Sequence, residues 1–283
     1  MTDDGIRPVN RLWTPWRMAY VGGEQKSSDC VFCAAAAGED DVTSLVLHRG
    51  EYSFVILNLF PYNTGHLMVV PYEHVNDLAM LAPEARTELV ELTASFTAGL
   101  RFVMGCEGLN LGMNLGSAAG AGIADHLHQH LVPRWIGDAN FMPLVGGTKV
   151  LPELLPATYG KLRSEIVRQK SGADRTTVVL VNPNGRSIYL DRGRLARVPL
   201  TNEEPVWRSV VRTLRPVAAS LSLLGWAGSA STRQDDGSTP VLAVQIMPSP
   251  ESHFTEVPVP PVSSQLVSID DRAAVDAALT RFT

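Results

Sequence analysis

Asp125-His126-Leu127-His128-Gln129-His130-Leu131-Val132-Pro133 places three of the chain's seven histidines within five residues. A β-strand sends successive side chains to opposite faces. Read as a strand, the run puts His126, His128 and His130 on one side, with neighbouring imidazoles about 6–7 Å apart. Rings spaced along a line do not easily converge on one metal ion. A polar strand edge is the plain alternative. Histidine is the side chain whose ordinary pKa lies near neutrality, and it serves as nucleophile, proton shuttle or metal ligand. Just upstream, Leu109-Asn110-Leu111-Gly112-Met113-Asn114-Leu115 alternates as a strand does, and Gly116-Ser117-Ala118-Ala119-Gly120-Ala121-Gly122 follows it. Small residues let backbone N–H groups come close to a phosphate. A glycine-rich loop alone says little. One that feeds a histidine strand points to phosphate chemistry.

The composition narrows the classes. A length of 283 residues suits one large domain or two ordinary ones, and a 45% hydrophobic content supplies a sizeable core. A net charge of −5 argues against a nucleic-acid binder working through bulk electrostatics. Charges and prolines interrupt the apolar runs well short of a membrane span. Met1-Thr2-Asp3-Asp4-Gly5 begins acidic, without a signal-peptide apolar region. Three cysteines, an odd number, do not suggest a disulfide framework. A reduced, cytoplasmic protein is expected.

Along the chain, Arg11-Leu12-Trp13-Thr14-Pro15-Trp16-Arg17-Met18-Ala19-Tyr20-Val21 is aromatic enough to need packing partners. Strands are expected at 44–48, 52–57 and 66–71, the last two separated by the turn Asn58-Leu59-Phe60-Pro61-Tyr62-Asn63-Thr64-Gly65. Pro83 opens a long amphipathic helix through Leu89, Leu92, Phe96, Leu100 and Val103, and Gly105 ends it. A helix interrupted near Pro156 is expected over 150–169, then a boundary at Ser171-Gly172-Ala173-Asp174. Strand–helix–strand structure follows over about 176–248. An extended proline-rich stretch runs from Val257 to Val262, and a short helix from Asp271.

These segments together resemble a known family. His126-Leu127-His128-Gln129-His130-Leu131-Val132 is close to the pattern of the histidine-triad (HIT) superfamily. The 58–65 turn followed by His66-Leu67-Met68-Val69-Val70-Pro71 is similar to that family. So is Pro133-Arg134-Trp135 leading into Gly137-Asp138-Ala139-Asn140-Phe141. With Arg11–Val21, they resemble the bacterial branch that includes diadenosine tetraphosphate phosphorylases. The resemblance covers roughly residues 10–168, a HIT nucleotide-binding catalytic domain. It implies an α+β fold, with an antiparallel sheet packed against helices.

The resemblance also implies a nucleotidyltransferase that cleaves diadenosine polyphosphates at the α-phosphorus, with phosphate as acceptor. A neutral imidazole that attacks phosphorus splits one hard step into two through a covalent nucleotidyl-histidine. By resemblance His128 is the nucleophile, and His130 hydrogen-bonds the α-phosphate and favours the transition-state charge. Asn58 meets the ribose. Asn114, Gly116, Ser117, Gly120 and Gly122 line the phosphate chain. Family members often carry an apolar residue where this chain has Gln129. Many also carry a glutamine in the loop here occupied by Ala119-Gly120-Ala121-Gly122. A hydrolase of the same fold, using water on dinucleotides or nucleoside phosphoramidates, is the competing enzyme. A nucleotide sensor without turnover is the competing non-enzyme.

Cys30-Val31-Phe32-Cys33 is half of a zinc site, a redox pair or a pair of buried small residues. By resemblance to zinc-bearing members, His74 and His126 complete a structural zinc site, and no organic cofactor is implied. His48 and His253 match nothing in the pattern, His66 starts its strand, and Cys106 is a buried spectator. Residues 176–283 are expected to form a second α+β domain. Val241-Leu242-Ala243-Val244-Gln245-Ile246-Met247-Pro248 aligns without a gap on the histidine strand, with Ala243 at the nucleophile position. A silent second copy of the fold is favoured over the plainer reading, an unrelated accessory domain or a partly ordered extension. It would make an intramolecular pseudo-dimer in place of a homodimer, with no nucleic-acid or membrane partner.

Overall fold

The computed structural model describes residues 30–120, 122–138, 152–231, 238–258 and 269–282. The aromatic stretch Arg11–Val21, the positions Ala139, Asn140 and Phe141, and the end of the proline-rich stretch lie outside the described residues. The chain divides into two compact units. One is Met1–Arg101 with Gly105–Leu154, and the other is Phe102–Met104 with Leu155–Thr283. The boundary expected at 171–174 follows a helix, Leu155–Ser171, that packs with the second unit.

In the first unit a short helix, α1 (Val31–Ala37), precedes β1 (Val46–Arg49), β2 (Ser53–Leu57) and β3 (Leu67–Pro71). The long helix α2 (Pro83–Met104) leads to β4 (Gly108–Gly112), and β5 (Gln129–Arg134) closes the sheet. The sheet order is β1-β2-β3-β5-β4, with every pair antiparallel. Ser-Phe-Val-Ile-Leu in β2 and Leu-Met-Val-Val-Pro in β3 are buried at every position, as a strand covered on both faces must be. Pro83 occupies the first turn of α2, where its missing N–H costs nothing, and Gly105 ends the helix at φ 64°. Leu89, Leu100 and Val103 are buried, while Leu92 and Phe96 are half-buried.

The second unit holds α3 (Leu155–Ser171), β6 (Arg175–Val181), β7 (Ser187–Asp191), β8 (Ala196–Pro199) and α4 (Val206–Leu214). The long strands β9 (Ala218–Ser231) and β10 (Ser238–Pro248), then β11 (Phe254–Pro258) and α5 (Ile269–Phe282), complete it. Its sheet runs β11-β7-β6-β10-β9, with β8 also on β6. Val179, Val181, Ile188, Leu190, Val241 and Ala243 form a core that Val275 and Ala278 of α5 cover. The buried Glu165 carboxylate pairs with Arg168, and its second oxygen accepts the Val206 N–H at 3.3 Å.

The expected second copy is not what this unit forms. The histidine strand β5 is antiparallel to both neighbours, β3 and β4. Its counterpart by alignment, β10, is antiparallel to β9 but parallel to β6, the first strand of the unit. In a repeat, the third strand would lie beside β10. Instead β8 pairs with the opposite edge of β6, residue 175 to residue 199. The local order of helix, strand and strand recurs, which is what the alignment detected. The strand pairing differs, and the run Val241–Val244 is buried throughout because it lies between two strands under helices.

Gly160 of α3 lies so close to β9 that a Cβ there would come within 2.7 Å of the Gly225 carbonyl carbon and 2.8 Å of the Trp226 nitrogen. Two effects oppose each other at this position. Alanine improves helix propensity by up to about 1 kcal/mol. Overpacking against unyielding backbone costs about 1–3 kcal/mol. Gly160→Ala is expected to lower stability, read as a shift of the denaturant midpoint. A raised midpoint would show that the helix can move away from the strand.

Candidate functional site

The ladder of β5 starts at Gln129, so only His130 of the three histidines lies within the strand. His130 pairs with Met68 of β3 on one side and Gly112 of β4 on the other. The chain before the strand is held separately: the Leu127 N–H donates to the Val75 carbonyl at 2.6 Å. The rings therefore converge more than a uniform pleat allows. His128 and His130 have centroids 4.8 Å apart at 76°, and Phe32 of α1 packs on His126 and His128 at 5.4 and 5.0 Å. His126 and His128 are buried, at 1% and 6% exposure. His130 is half-buried.

Backbone groups dictate where the ring protons sit. Nδ1 of His128 lies 2.8 Å from the His126 carbonyl oxygen. A carbonyl only accepts, so Nδ1 carries the hydrogen and Nε2 of the neutral ring presents a lone pair. His66 is fully buried at the start of β3. Its Nδ1 accepts the Tyr62 N–H at 3.0 Å, which puts its proton on Nε2. That nitrogen is 2.9 Å from Nδ1 of His130 and donates to it. His130 must then hold its own proton on Nε2. The two rings thus present opposite faces: His128 an electron pair, His130 an N–H. Burial holds the His128 pKa below its ordinary value, against the raising effect of the His126 carbonyl. Burial, and then the neighbouring His128, push His130 from 6.5 down to about 4.

His66 is the residue that sequence reading missed. No spacing near residue 66 signals this role, which follows from register: β3 is the neighbour of β5, and His66 immediately precedes β3. Gly65, at φ 78°, supplies the left-handed residue that turns the chain into it. The Tyr62 ring lies over both His66 and His130, at 4.8 and 5.7 Å. Asn58, expected at the ribose, is engaged within its own turn. Its Oδ1 accepts the Phe60 N–H at 2.9 Å, and its Nδ2 lies 3.2 Å from Nδ1 of His66.

The glycine-rich loop leaves β4 where Gly112 pairs with His130, so Asn114 stands two residues beyond that pair. Gly116 and Gly120 have φ of 76° and 79°, and a Cβ at Gly116, Gly120 or Gly122 would meet nothing within 4 Å among the described residues. Ala121 and the Ser117 side chain lie outside the described residues. Gln129, the departure from the apolar pattern, donates to the His130 carbonyl at 3.3 Å.

Cys30, Cys33, His74 and His126 bring one ligand atom each to within 4.8 Å of one another. The contacts are 3.3 Å for Cys30 Sγ to His126 Nδ1, 3.6 Å for Cys33 Sγ to the same nitrogen and 3.2 Å for Cys33 Sγ to His74 Nδ1. The sulfur–nitrogen edge of a tetrahedral zinc site is about 3.6 Å, by the usual metal–ligand lengths. Nε2 of His126 donates to the Pro71 carbonyl at 2.9 Å, which leaves Nδ1 unprotonated and facing the thiols. Burial, ahead of the neighbouring Cys30, pushes the Cys33 thiol up. The group is positioned to bind a metal. Of the remaining candidates, His48 packs against Phe96 at 6.0 Å, His253 lies 3.2 Å from Asp191, and Cys106 is buried as expected.

Comparison with known proteins identifies the family. The HIT domain family model matches residues 39–135. The AP-4-A phosphorylase of Mycobacterium tuberculosis is 42% identical over 168 residues, which is 57% of this chain and 86% of that protein. An uncharacterized HIT-like protein of the same species is 32% identical over 109 residues, 38% of this chain and 74% of that one. A zinc-bound histidine triad family protein from Mycobacterium smegmatis is similar in structure at a TM-score of 0.43. It is 26% identical, over 52% of this chain and 99% of that one. The chain belongs to the HIT family. It is a HIT-family nucleotidyltransferase or hydrolase. No helix among the described residues is long and apolar enough to cross a membrane.

The depressed pKa of His130 makes stability depend on pH with a definite sign. The fold holds the ring neutral, whereas the unfolded chain would protonate it near 6.5. Its contribution is complete above about 6.5 and is lost as pH falls towards 4. Thermal unfolding followed from pH 7 to 4 should show the midpoint falling through this window. His130→Asn should show a shallower fall. Parallel curves for the two proteins would mean that other groups carry the dependence.

Proposed function

We propose that the protein cleaves diadenosine polyphosphates at an α-phosphorus, through a nucleotidyl-histidine on His128, and transfers the nucleotidyl group to inorganic phosphate. The observation that carries this reading is the 2.8 Å bond from His128 Nδ1 to the His126 carbonyl. It leaves Nε2 as a nucleophile at neutral pH, and the same bond strengthens as the ring gains positive charge on attacking phosphorus. The likeness to the mycobacterial phosphorylase supports the choice of substrate.

In the first step Nε2 of His128 forms a bond to the α-phosphorus, and the bond from phosphorus to the bridging oxygen breaks. With diadenosine tetraphosphate, ATP leaves. The Nε2–H of His130 donates to a non-bridging oxygen of the α-phosphate, where charge builds up. Backbone amides of the loop Gly116, Ser117, Gly120 and Gly122, with Asn114, line the phosphate chain, and Asn58 sits by the ribose. In the second step an oxygen of phosphate attacks the phosphorus. The phosphorus–nitrogen bond breaks, ADP leaves, and His128 regains its lone pair. Water in place of phosphate would yield AMP.

Zinc fits the Cys30, Cys33, His74 and His126 group, because a closed set of two thiolates and two imidazoles is its usual structural environment. It would tie α1 and the residues after β3 to His126, and its role is structural.

Incubation with diadenosine tetraphosphate, with and without phosphate, tests the reaction. ADP and ATP formed only with phosphate are expected. AMP and ATP without phosphate would assign the hydrolase reaction, and binding without products would assign a sensor. His128→Ala should bind nucleotide yet lose activity by at least about 10³-fold. Near-normal turnover would remove His128 from the covalent step. Protein purified without added metal should carry about one equivalent of zinc, by the four-ligand logic. Cys33→Ser should lose both the metal and thermal stability. Metal-free protein with unchanged stability would reject the site.

A further inference from the structure

The clamp at the far end of β5 lies outside the reacting groups, yet it touches the turn that sets their protons. We propose that Asp138 is a positioning residue: its carboxylate fastens the Pro61–His66 turn to the end of β5 and so fixes which nitrogen of His130 carries the hydrogen. The assignment rests on the nucleotidyl-transfer reading for its effect on turnover, though not for its effect on the rings.

Asp138 accepts four hydrogen bonds. Its Oδ2 receives Arg134 Nε at 2.7 Å, Asn63 Nδ2 at 2.9 Å and the Trp135 N–H at 3.1 Å, and its Oδ1 receives the second Arg134 nitrogen at 2.7 Å. Arg134 uses its remaining nitrogen on Asn110 of β4 at 2.8 Å. The carboxylate side chain is only 12% exposed. Asn63, itself buried, also donates to the Pro133 carbonyl at 3.0 Å. The two bonds from its amide hold the turn to β5 at two points. From there the path to the site is short. The Asn63 carbonyl accepts the His66 N–H at 3.1 Å, and the preceding residue, Tyr62, donates its N–H to His66 Nδ1. That N–H forces the His66 proton onto Nε2, and so the His130 proton onto the nitrogen that faces away from His66.

A surface ion pair contributes about 0–1 kcal/mol to stability. If Asp138 only paired with Arg134, replacing it would shift the melting temperature slightly and leave the rings alone. A clamp predicts something different. Once Asn63 is free, the Tyr62 N–H is no longer held on Nδ1; the Asn58 amide still faces that nitrogen at 3.2 Å, but an amide can offer its oxygen to an Nδ1–H as readily as its NH2 to a lone pair, so both neutral tautomers of His66 become accessible. His130 then loses its single assignment. Rate suffers more than binding, because the N–H is needed most where charge develops.

The experiment records ring-nitrogen NMR spectra of ¹⁵N-histidine-labelled full-length protein, without nucleotide, for the wild type, Asp138→Asn and Asn63→Ala. The expected result is one tautomer for His130 in the wild type, with Nε2 protonated, and averaged ring-nitrogen shifts in both variants. Asp138→Glu should restore part of the wild-type signature. With diadenosine tetraphosphate, kcat should fall by about 10-fold or more while KM changes little. Wild-type ring shifts in both Asp138→Asn and Asn63→Ala would overturn the proposal. Should Asp138→Asn fail to fold, Asn63→Ala decides alone, since it leaves the Arg134–Asp138 pair in place. Failure of the wild type to cleave the dinucleotide would overturn the nucleotidyl-transfer reading, while the ring spectra still decide the clamp.

Discussion

A hydrogen bond across two residues, from the His128 ring to the carbonyl of His126, is the constraint on which the rest of the site depends. It is a bond to the main chain and cannot be inverted, because the acceptor has no proton to give. Everything that fixes the main chain at 126–128 therefore fixes the lone pair on Nε2 of His128. The Val75 carbonyl holds Leu127, the Pro71 carbonyl holds the His126 ring, and Phe32 fills the space beside both imidazoles. The same logic governs His130 from the other side, through His66 and the Tyr62 amide. His66, His126, His128 and His130 stand close together, and no two of their protons compete for one position.

Much of the first unit was legible in the sequence because its signals are short-range. Pro83 and Gly105 bracket α2 through backbone preferences that act within one residue. The runs at 53–57 and 67–71 read as strands because full burial demands uninterrupted apolar residues. The meeting of Cys30 and Cys33 with His74 and His126 joins positions almost a hundred residues apart. Residue chemistry alone gave only half of that set, and the histidines came from resemblance. The uniform histidine strand did not survive in detail. Alternation describes a ladder, and this ladder starts at Gln129, with Leu127 before it held by the Val75 carbonyl.

What could not be read was pairing. Nothing local tells Val241–Pro248 which strand will lie beside it, and a fully buried apolar run suits a parallel neighbour as well as an antiparallel one. An order of helix, strand and strand therefore reads as a repeat, whereas the second sheet pairs its strands differently. His66 escaped for the same reason. Its role depends on β3 lying next to β5, a fact about register that no spacing near residue 66 records.

The seven-residue helix α1 has a thermal consequence of its own. A helix this short does not persist in water unaided. Its last-turn carbonyls at Ala35 and Ala36, and that of Gly38 beyond, are gathered by the guanidinium of Arg49, while its first turn carries the two thiols. The segment is thus tethered at both ends by side-chain chemistry, and Phe32 is the part of it that reaches the imidazoles. Loosening either tether would first release that aromatic ring and let solvent reach His126 and His128. Warming should therefore wet His126 and His128 before the sheet beneath them begins to melt.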